Sequence, residues 1–231
     1  MRIDNNFERL ISFGIPNNLR SFIWESILNE RYNKNREYIY DEEKQEYYLA
    51  IKKSKNNKQI EKDRERTFTK EQGPLNLNIL NNAIKSISGK KYIDGYCQDI
   101  YFIVRFLLKL TKFDEIKTYY ILKSILIDIK GLFEGNFPLL KKYTIAFNIL
   151  FEELYPKLYK HFENNEIYNE LWVSKWLQAL FTITLPFEEV CIIWDNLIIS
   201  GFRFSIFICL SIIDFIEKDL LQLQDSSDIL T

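Results

Sequence analysis

A single histidine, His161, among 231 residues leaves almost no material for a Ser-His or Cys-His nucleophile pair, or for a histidine-built metal site. Hydrolysis by this chain acting alone is not expected. Cysteine is scarce as well: Cys97, Cys191 and Cys209 are odd in number, far apart and set in apolar segments, which reads as reduced core thiols of a cytoplasmic protein rather than a disulfide framework. An excess of either charge is also missing, because 31 basic residues face 32 acidic ones, so no global field steers the chain toward nucleic acid or anionic lipid. Long apolar runs are absent. The most apolar stretch, 192–216, carries Asp195, Arg203 and Asp214, and its uncharged runs fall short of the ~20 residues of a membrane span. Positions 1–9 mix charged and polar residues and are not read as a secretory signal.

What is present is helical patterning. Seven glycines and five prolines punctuate the chain, apolar residues recur at three- and four-residue steps, and no alternating strand pattern is sustained, so the fold class expected is all-α. Pro16 opens a helix expected to carry Leu19, Phe22, Ile23, Ile27 and Leu28 along one side, with Trp24 beside them. A charge-rich stretch, 33–62, reads as a solvated helix near 41–53 followed by a mobile, partner-facing loop. Further helices are expected over 75–87, 96–110, 116–129, 139–162, 171–183, 186–200 and 204–221, the last buried because it is apolar nearly all round. At 231 residues and 47% hydrophobic content the chain is read as one domain of two helical lobes, 1–110 and 111–231, meeting near Thr111.

Four short blocks stand in order along this pattern. The first is Gly14-Ile15-Pro16 with Arg20 and Trp24, and the second is Ile60-x-x-Asp63-x-x-Arg66-Thr67-Phe68. The third is Gly95-Tyr96-Cys97-Gln98. The fourth runs from Ser174-Lys175-Trp176 through Leu180-Phe181 and Leu185-Pro186-Phe187-Glu188 to Ile193-Trp194-Asp195 and Gly201. Each alone is weak, since Asp63 and Arg66 lie in the run Glu61-Lys62-Asp63-Arg64-Glu65-Arg66, which by itself reads as a solvated, salt-bridged helix face. Gln98 alone is an ordinary polar residue at a helix start, and Tyr96 an ordinary amphipathic tyrosine. In register, the four resemble the signature of the TBC (Tre-2/Bub2/Cdc16) domain family of Rab GTPase-activating proteins, across essentially the whole chain.

That resemblance implies a two-lobed helical TBC fold and a partner, a Rab-family small GTPase, that carries GTP and Mg²⁺ itself; no cofactor belongs to this chain. It implies Arg66 as an arginine finger and Gln98 as a glutamine finger, with Asp63 and Tyr96 holding them and Arg20 supporting from an internal ion pair. A guanidinium offers planar donors to charge developing on a transferring phosphoryl group, and a carboxamide can both accept from and donate to an attacking water. Recruitment to endomembranes through the partner, in vesicle traffic, follows from the same resemblance. For Gly14, Pro16, Trp24, Trp176, Trp194 and Asp195, packing, capping and turn roles are expected.

Three departures from the family pattern stand out. Asp99 follows Gln98 where a small residue is usual, and a carboxylate exposed near bound triphosphate would repel it. Lys175 and Ile192 stand where arginines are common. Two alternatives to catalysis therefore stay open: a Rab-binding module with impaired stimulation, and a helical scaffold with an apolar groove for partner helices.

Overall fold

The computed structural model describes residues 14–32, 40–54, 58, 60–62, 74–88 and 97–223. Among these the regular structure is helical throughout, without a strand: α1 (Asn17–Tyr32), α2 (Tyr40–Lys53), α3 (Pro74–Ile87), α4 (Asp99–Leu110), α5 (Glu115–Ile129), α6 (Pro138–Leu154), α7 (Pro156–Asn164), α8 (Glu170–Gln178), α9 (Phe187–Ser200) and α10 (Ser205–Leu220). Short 3₁₀ turns, Lys130–Leu132 and Phe202–Phe204, follow α5 and α9. No helix among the described residues is long and apolar enough to cross a membrane.

Helix ends follow local chemistry. The Pro16 carbonyl accepts the first bonds of α1, from Leu19 N at 2.9 Å and Arg20 N at 3.1 Å. Asp114 caps α5, its Oδ1 accepting from Ile116 N and Lys117 N at 3.0 Å each, which contributes about 1 kcal/mol. Pro156 divides the expected long helix over 139–162 into α6 and α7: it has no N–H to continue the ladder, and Tyr155 before it leaves helical geometry at φ −126°, ψ 54°. At the end of α8, Leu180 and Phe181 turn left-handed, and Trp194 Nε1 donates to the Leu180 carbonyl at 3.0 Å. α9 ends at Gly201, whose φ of +88° favours a residue without Cβ.

Packing centres on α5. It is buried nearly all round, from Ile116 through Tyr119, Tyr120 and Ile125 to Ile129, and packs against α1, α2, α3 and α4. Thr111, the expected lobe junction, lies in the turn between α4 and α5, and one continuous apolar core runs from Ile15 to Leu220. The all-round burial expected of the last helix is not observed. α10 covers α6 and α8 with Ile206, Cys209, Leu210 and Ile213, but leaves Phe207 and Phe215 exposed at 53% and 89%. The stripe expected on α1 is also rotated: Arg20, Trp24, Ile27 and Leu28 face inward, while Leu19 and Phe22 face out.

Nor is α2 merely solvated. Its Glu43 is buried and pairs with Lys123 of α5, which also holds Glu46 at 2.7 Å, and the buried Tyr47 hydroxyl donates to Glu115. Opposite charges drawn from distant chain positions thus clamp a polar helix onto the core. Cys191 and Cys209 are buried free thiols and Cys97 is half-buried, as expected of reduced cysteines.

Candidate functional site

Gln98 immediately precedes α4 and already has helical backbone angles, φ −61° and ψ −35°. Its carbonyl accepts from Tyr101 N at 3.0 Å, while its side chain is exposed and makes no capping bond. The carboxamide therefore stands exposed at the helix start and is not spent on capping its own backbone. Gln98, Phe102, Arg105 and Lys109 recur at steps of four, three and four and so share one side of α4. The opposite side, with Ile100, Tyr101, Ile103, Val104 and Leu107, is buried.

That side of α4 borders a cleft of about 200 Å³, whose far wall is formed by Thr182, Leu185, Phe187 and Val190. Lys109 Nζ sits 4.1 Å from the Phe187 ring centre, a cation held on an aromatic face. The cleft thus combines apolar walls with basic groups, a surface suited to a protein partner more than to a small polar ligand.

Beneath it lies an aromatic stack. Phe106 of α4 contacts Phe187 at 5.4 Å, Trp194 at 4.9 Å and Trp24 at 6.3 Å between ring centroids, and Trp24 stacks on Trp194 at 5.7 Å. The stack is pinned by Asp195, which is fully buried and accepts from four groups on or before α1. Oδ1 takes Trp24 Nε1 at 2.8 Å and Arg20 Nε at 3.0 Å, and Oδ2 takes Ile15 N and Arg20 Nη2 at 3.1 Å each. Arg20 is thus the internal ion pair expected of it, only 4% exposed and out of reach of any partner. Asp195, Trp24, Trp194 and Phe106 form a contiguous set of contacts between Arg20 and α4. Asp195, read from sequence as a turn or capping position, is the counter-ion at the centre of this joint. The available signal was a carboxylate in the apolar middle of α9, beyond the two at its start, while Arg20 had no carboxylate within a helical turn of it.

Asp99, the residue that departs from the family pattern, opens α4, where a negative charge is favoured by the helix dipole. Its Oδ2 also accepts from the Cys97 thiol at 3.4 Å. Burial pushes the Cys97 thiol up to about 11, so it keeps the proton it donates. The local chemistry of Asp99 is therefore satisfied beside Gln98 by the helix terminus and by its neighbour. Lys175 and Ile192 are both exposed.

Arg66, Asp63 and Tyr96 lie outside the described residues. The chain approaching Arg66 is seen at 60–62: Ile60 is fully buried in the core, and Glu61 pairs with Lys85 of α3 at 3.8 Å. The chain leaving Gln98 is anchored on the same helix, where the Tyr101 hydroxyl donates to Asn81 Oδ1 at 2.9 Å. Asn81 and Lys85 are one helical turn apart, about 6 Å, on one side of α3.

The model of the Rab-GTPase-TBC domain matches residues 17–221, nearly the whole chain. The chain belongs to the Rab-GTPase-TBC domain family. Relatives of this TBC domain include the Rab GTPase-activating protein eat-17 of Caenorhabditis elegans, 26% identical over 95% of this chain but only 24% of the relative's length. Growth hormone-regulated TBC protein 1-A of Danio rerio is 26% identical over 99% of this chain and 65% of its own. The chain therefore spans about a quarter of the first relative and about two thirds of the second. Among solved structures, the Chlamydomonas flagellar RabGAP TBC domain superposes with a TM-score of 0.84 at 21% identity, covering 100% of this chain and 78% of that one. The Ypt/Rab-GAP domain of Gyp1p gives 0.81 at 18% identity, covering 98% and 84%. These likenesses establish the all-α TBC fold.

Proposed function

We propose that this TBC domain stimulates GTP hydrolysis by a Rab-family GTPase, with Arg66 and Gln98 entering the partner's nucleotide site together. The observation that carries the reading is the shared anchorage on α3. Glu61, five residues before Arg66, and Tyr101, three residues after Gln98, are tethered a single turn apart. Five residues of chain reach at most ~18 Å, so chain length permits the two fingers to meet at one edge. Gln98 is exposed there, and family membership supports the chemistry.

A small GTPase hydrolyses GTP slowly because charge on the transferring phosphoryl oxygens is left uncompensated and the attacking water is loosely held. Arg66 supplies guanidinium donors to that charge, an effect worth roughly 10³ to 10⁵ in rate for arginine fingers. Gln98 accepts from the water and donates to its surroundings, aligning it without taking its proton. Asp63 and Tyr96 hold the two fingers, and Arg20 acts only through the joint at Asp195. GTP and Mg²⁺ are the partner's, and the domain works in the cytoplasm at the endomembranes where its partner resides. The cleft beside α4 receives the GTPase surface next to the nucleotide.

Single-turnover phosphate release from a panel of GTP-loaded Rabs tests this. Arg66→Ala is expected to return the rate to the intrinsic value and Gln98→Ala to weaken stimulation strongly, both with unchanged unfolding curves. Unchanged rates for both variants with a stimulated Rab refute the assignment. Saturable complex formation without a rate gain identifies a binding module instead.

A further inference from the structure

The outward face of α6 carries a pattern that is its own complement when reversed. Lys141, Lys142, Ile145, Ile149, Glu152 and Glu153 are all exposed, Ile145 at 61% and Ile149 at 59%. At 3.6 residues per turn the six share an arc of about 120°, on the side of the helix away from the buried Leu140, Thr144, Phe147 and Phe151. The midpoint of Lys141 and Glu153 is position 147, and so is that of Lys142 and Glu152, and that of Ile145 and Ile149. Two basic residues thus stand about 7.5–9 Å to one side of the level of Phe147, two acidic residues the same distance to the other, and one isoleucine about 3 Å away on each side.

Among the described residues none of the four charged groups is held in an ion pair. Their order also opposes the helix that carries them. Lys141 closes the first turn of α6, and Glu152 and Glu153 lie in its last, the reverse of what a helix dipole favours, with no acid at the start or base at the end as an offset. The acid beside the stripe, Glu170 of α8, is already engaged, its Oε1 accepting from Asn148 Nδ2 at 3.0 Å.

A face with this symmetry fits a second copy of itself. Rotation by 180° about an axis through the stripe at the level of Phe147 lays another α6 antiparallel to the first, as a two-fold interface requires. Lys141 and Lys142 then meet Glu153 and Glu152 of the second copy, and Ile145 meets Ile149. A parallel arrangement would instead oppose like charges. We propose that two copies of this chain pair through α6, antiparallel, with interchain ion pairs at both ends of an isoleucine centre. Each misplaced charge then faces an opposite charge, and the two helix dipoles run antiparallel. A shallow crossing, near about 20°, keeps the outer lysines and glutamates within reach of each other. One helix face is small against the roughly 800 Å² per partner of a standard interface, so the dimer forms at micromolar concentrations and is loosened by salt.

Sedimentation velocity of the full chain over about 1–300 µM, at about 20 mM and about 500 mM salt, tests the proposal. Concentration-dependent dimer at low salt, reduced at high salt, is expected. Lys141→Glu with Lys142→Glu makes the stripe acidic throughout, and Glu152→Lys with Glu153→Lys makes it basic throughout. Each pair of substitutions should weaken self-association at least about tenfold, and an equimolar mixture of the two variants should recover the dimer. All four substitutions together reverse both ends, restore the symmetric pattern and should restore self-association. The sites are exposed, so the unfolding curves should stay close to that of the unsubstituted chain. A chain that stays monomeric throughout, which would leave the stripe to a different protein, overturns the proposal. So do charge-reversed variants that dimerise as tightly as the unsubstituted chain, or a mixture no more associated than its components.

Discussion

Replacing Asp195 by asparagine changes one atom's chemistry and leaves the size of the side chain intact, which makes it a sharp probe of the α1–α9 joint. Both carboxylate oxygens accept, from Ile15 N, Arg20 Nε and Nη2, and Trp24 Nε1, at 2.8–3.1 Å for the leading contacts. Asparagine keeps one acceptor. Whichever way its amide is turned, an NH₂ group then faces two donors, and the guanidinium of Arg20, 4% exposed, loses its counter-charge. Breaking a buried pair from one side costs about 3–5 kcal/mol, a large fraction of the roughly 5–15 kcal/mol stability of a typical domain. With a urea dependence of about 3 kcal/mol per molar, the unfolding midpoint should fall by roughly 1–2 M. Tryptophan fluorescence is a suitable readout because Trp24 and Trp194 stack in the joint itself. Arg20→Met combined with Asp195→Leu should recover much of the loss, since no unpaired charge is left inside. A midpoint shift below about 0.3 M for Asp195→Asn, or simple additivity in the double variant, refutes the account of this joint as a coupled buried ion pair.

Other features give further tests. Lys123→Met removes the cation shared by Glu43 and Glu46 and leaves Glu43 buried without its partner, so about 2 kcal/mol should be lost and amide exchange in α2 should rise before that in α5. Gly201→Ala meets no steric neighbour but places a Cβ on a backbone at φ +88°, ψ 155°, which should destabilise by about 1–3 kcal/mol in thermal or urea unfolding. Burial raises Cys97 and Cys191 each to about 11, so the folded state holds protons that the unfolded state releases first. Their contribution is fully present below the unfolded thiol range near 8.5 and is lost as pH rises toward 11. Stability measured across pH 8 to 11 should fall, less so in Cys97→Ser, and alkylation of Cys97 at pH 8 should be far slower than that of a free thiol.

Helix existence was legible because apolar spacing is a local property, and the proline and glycine stops were legible for the same reason. Where the reading went wrong, a distant residue decided the outcome. The periodicity of α1 favoured Leu19 and Phe22 as core, yet Asp195 draws Arg20 and Trp24 inward and turns those two side chains to solvent. The charge of α2 suggested a solvated face, and nothing near positions 43 and 46 announces Lys123 far along the chain. α10 is as apolar as a central helix but covers the surface of α6 and α8, whereas α5 lies between four neighbours. The split at Tyr155 was a local signal passed over, since Pro156 forbids the bond that a continuous helix needs. Of the site, Gln98 and Arg20 could be marked from the motifs, while the cleft beside α4 has its far wall at 182–190 and emerges only from packing.

The arrangement also gives a reason for a buried charge in a core that hydrophobic residues could fill at less cost. A buried ion pair is weak evidence for stability but a strong constraint on register, because an apolar contact can slide and a four-donor carboxylate cannot. Here the constraint falls on α9 against α1, and the Trp24–Trp194–Phe106 stack passes it to α4. α4 is then held twice: by its aromatic underside through Phe106, and near its first turn by the Tyr101–Asn81 bond to α3. A group at the start of a helix so held can be positioned to within the fraction of an ångström that the proposed orientation of a water by Gln98 would require. An exposed loop glutamine of identical chemistry, without the joint behind it, would have to lose that freedom at the moment of binding.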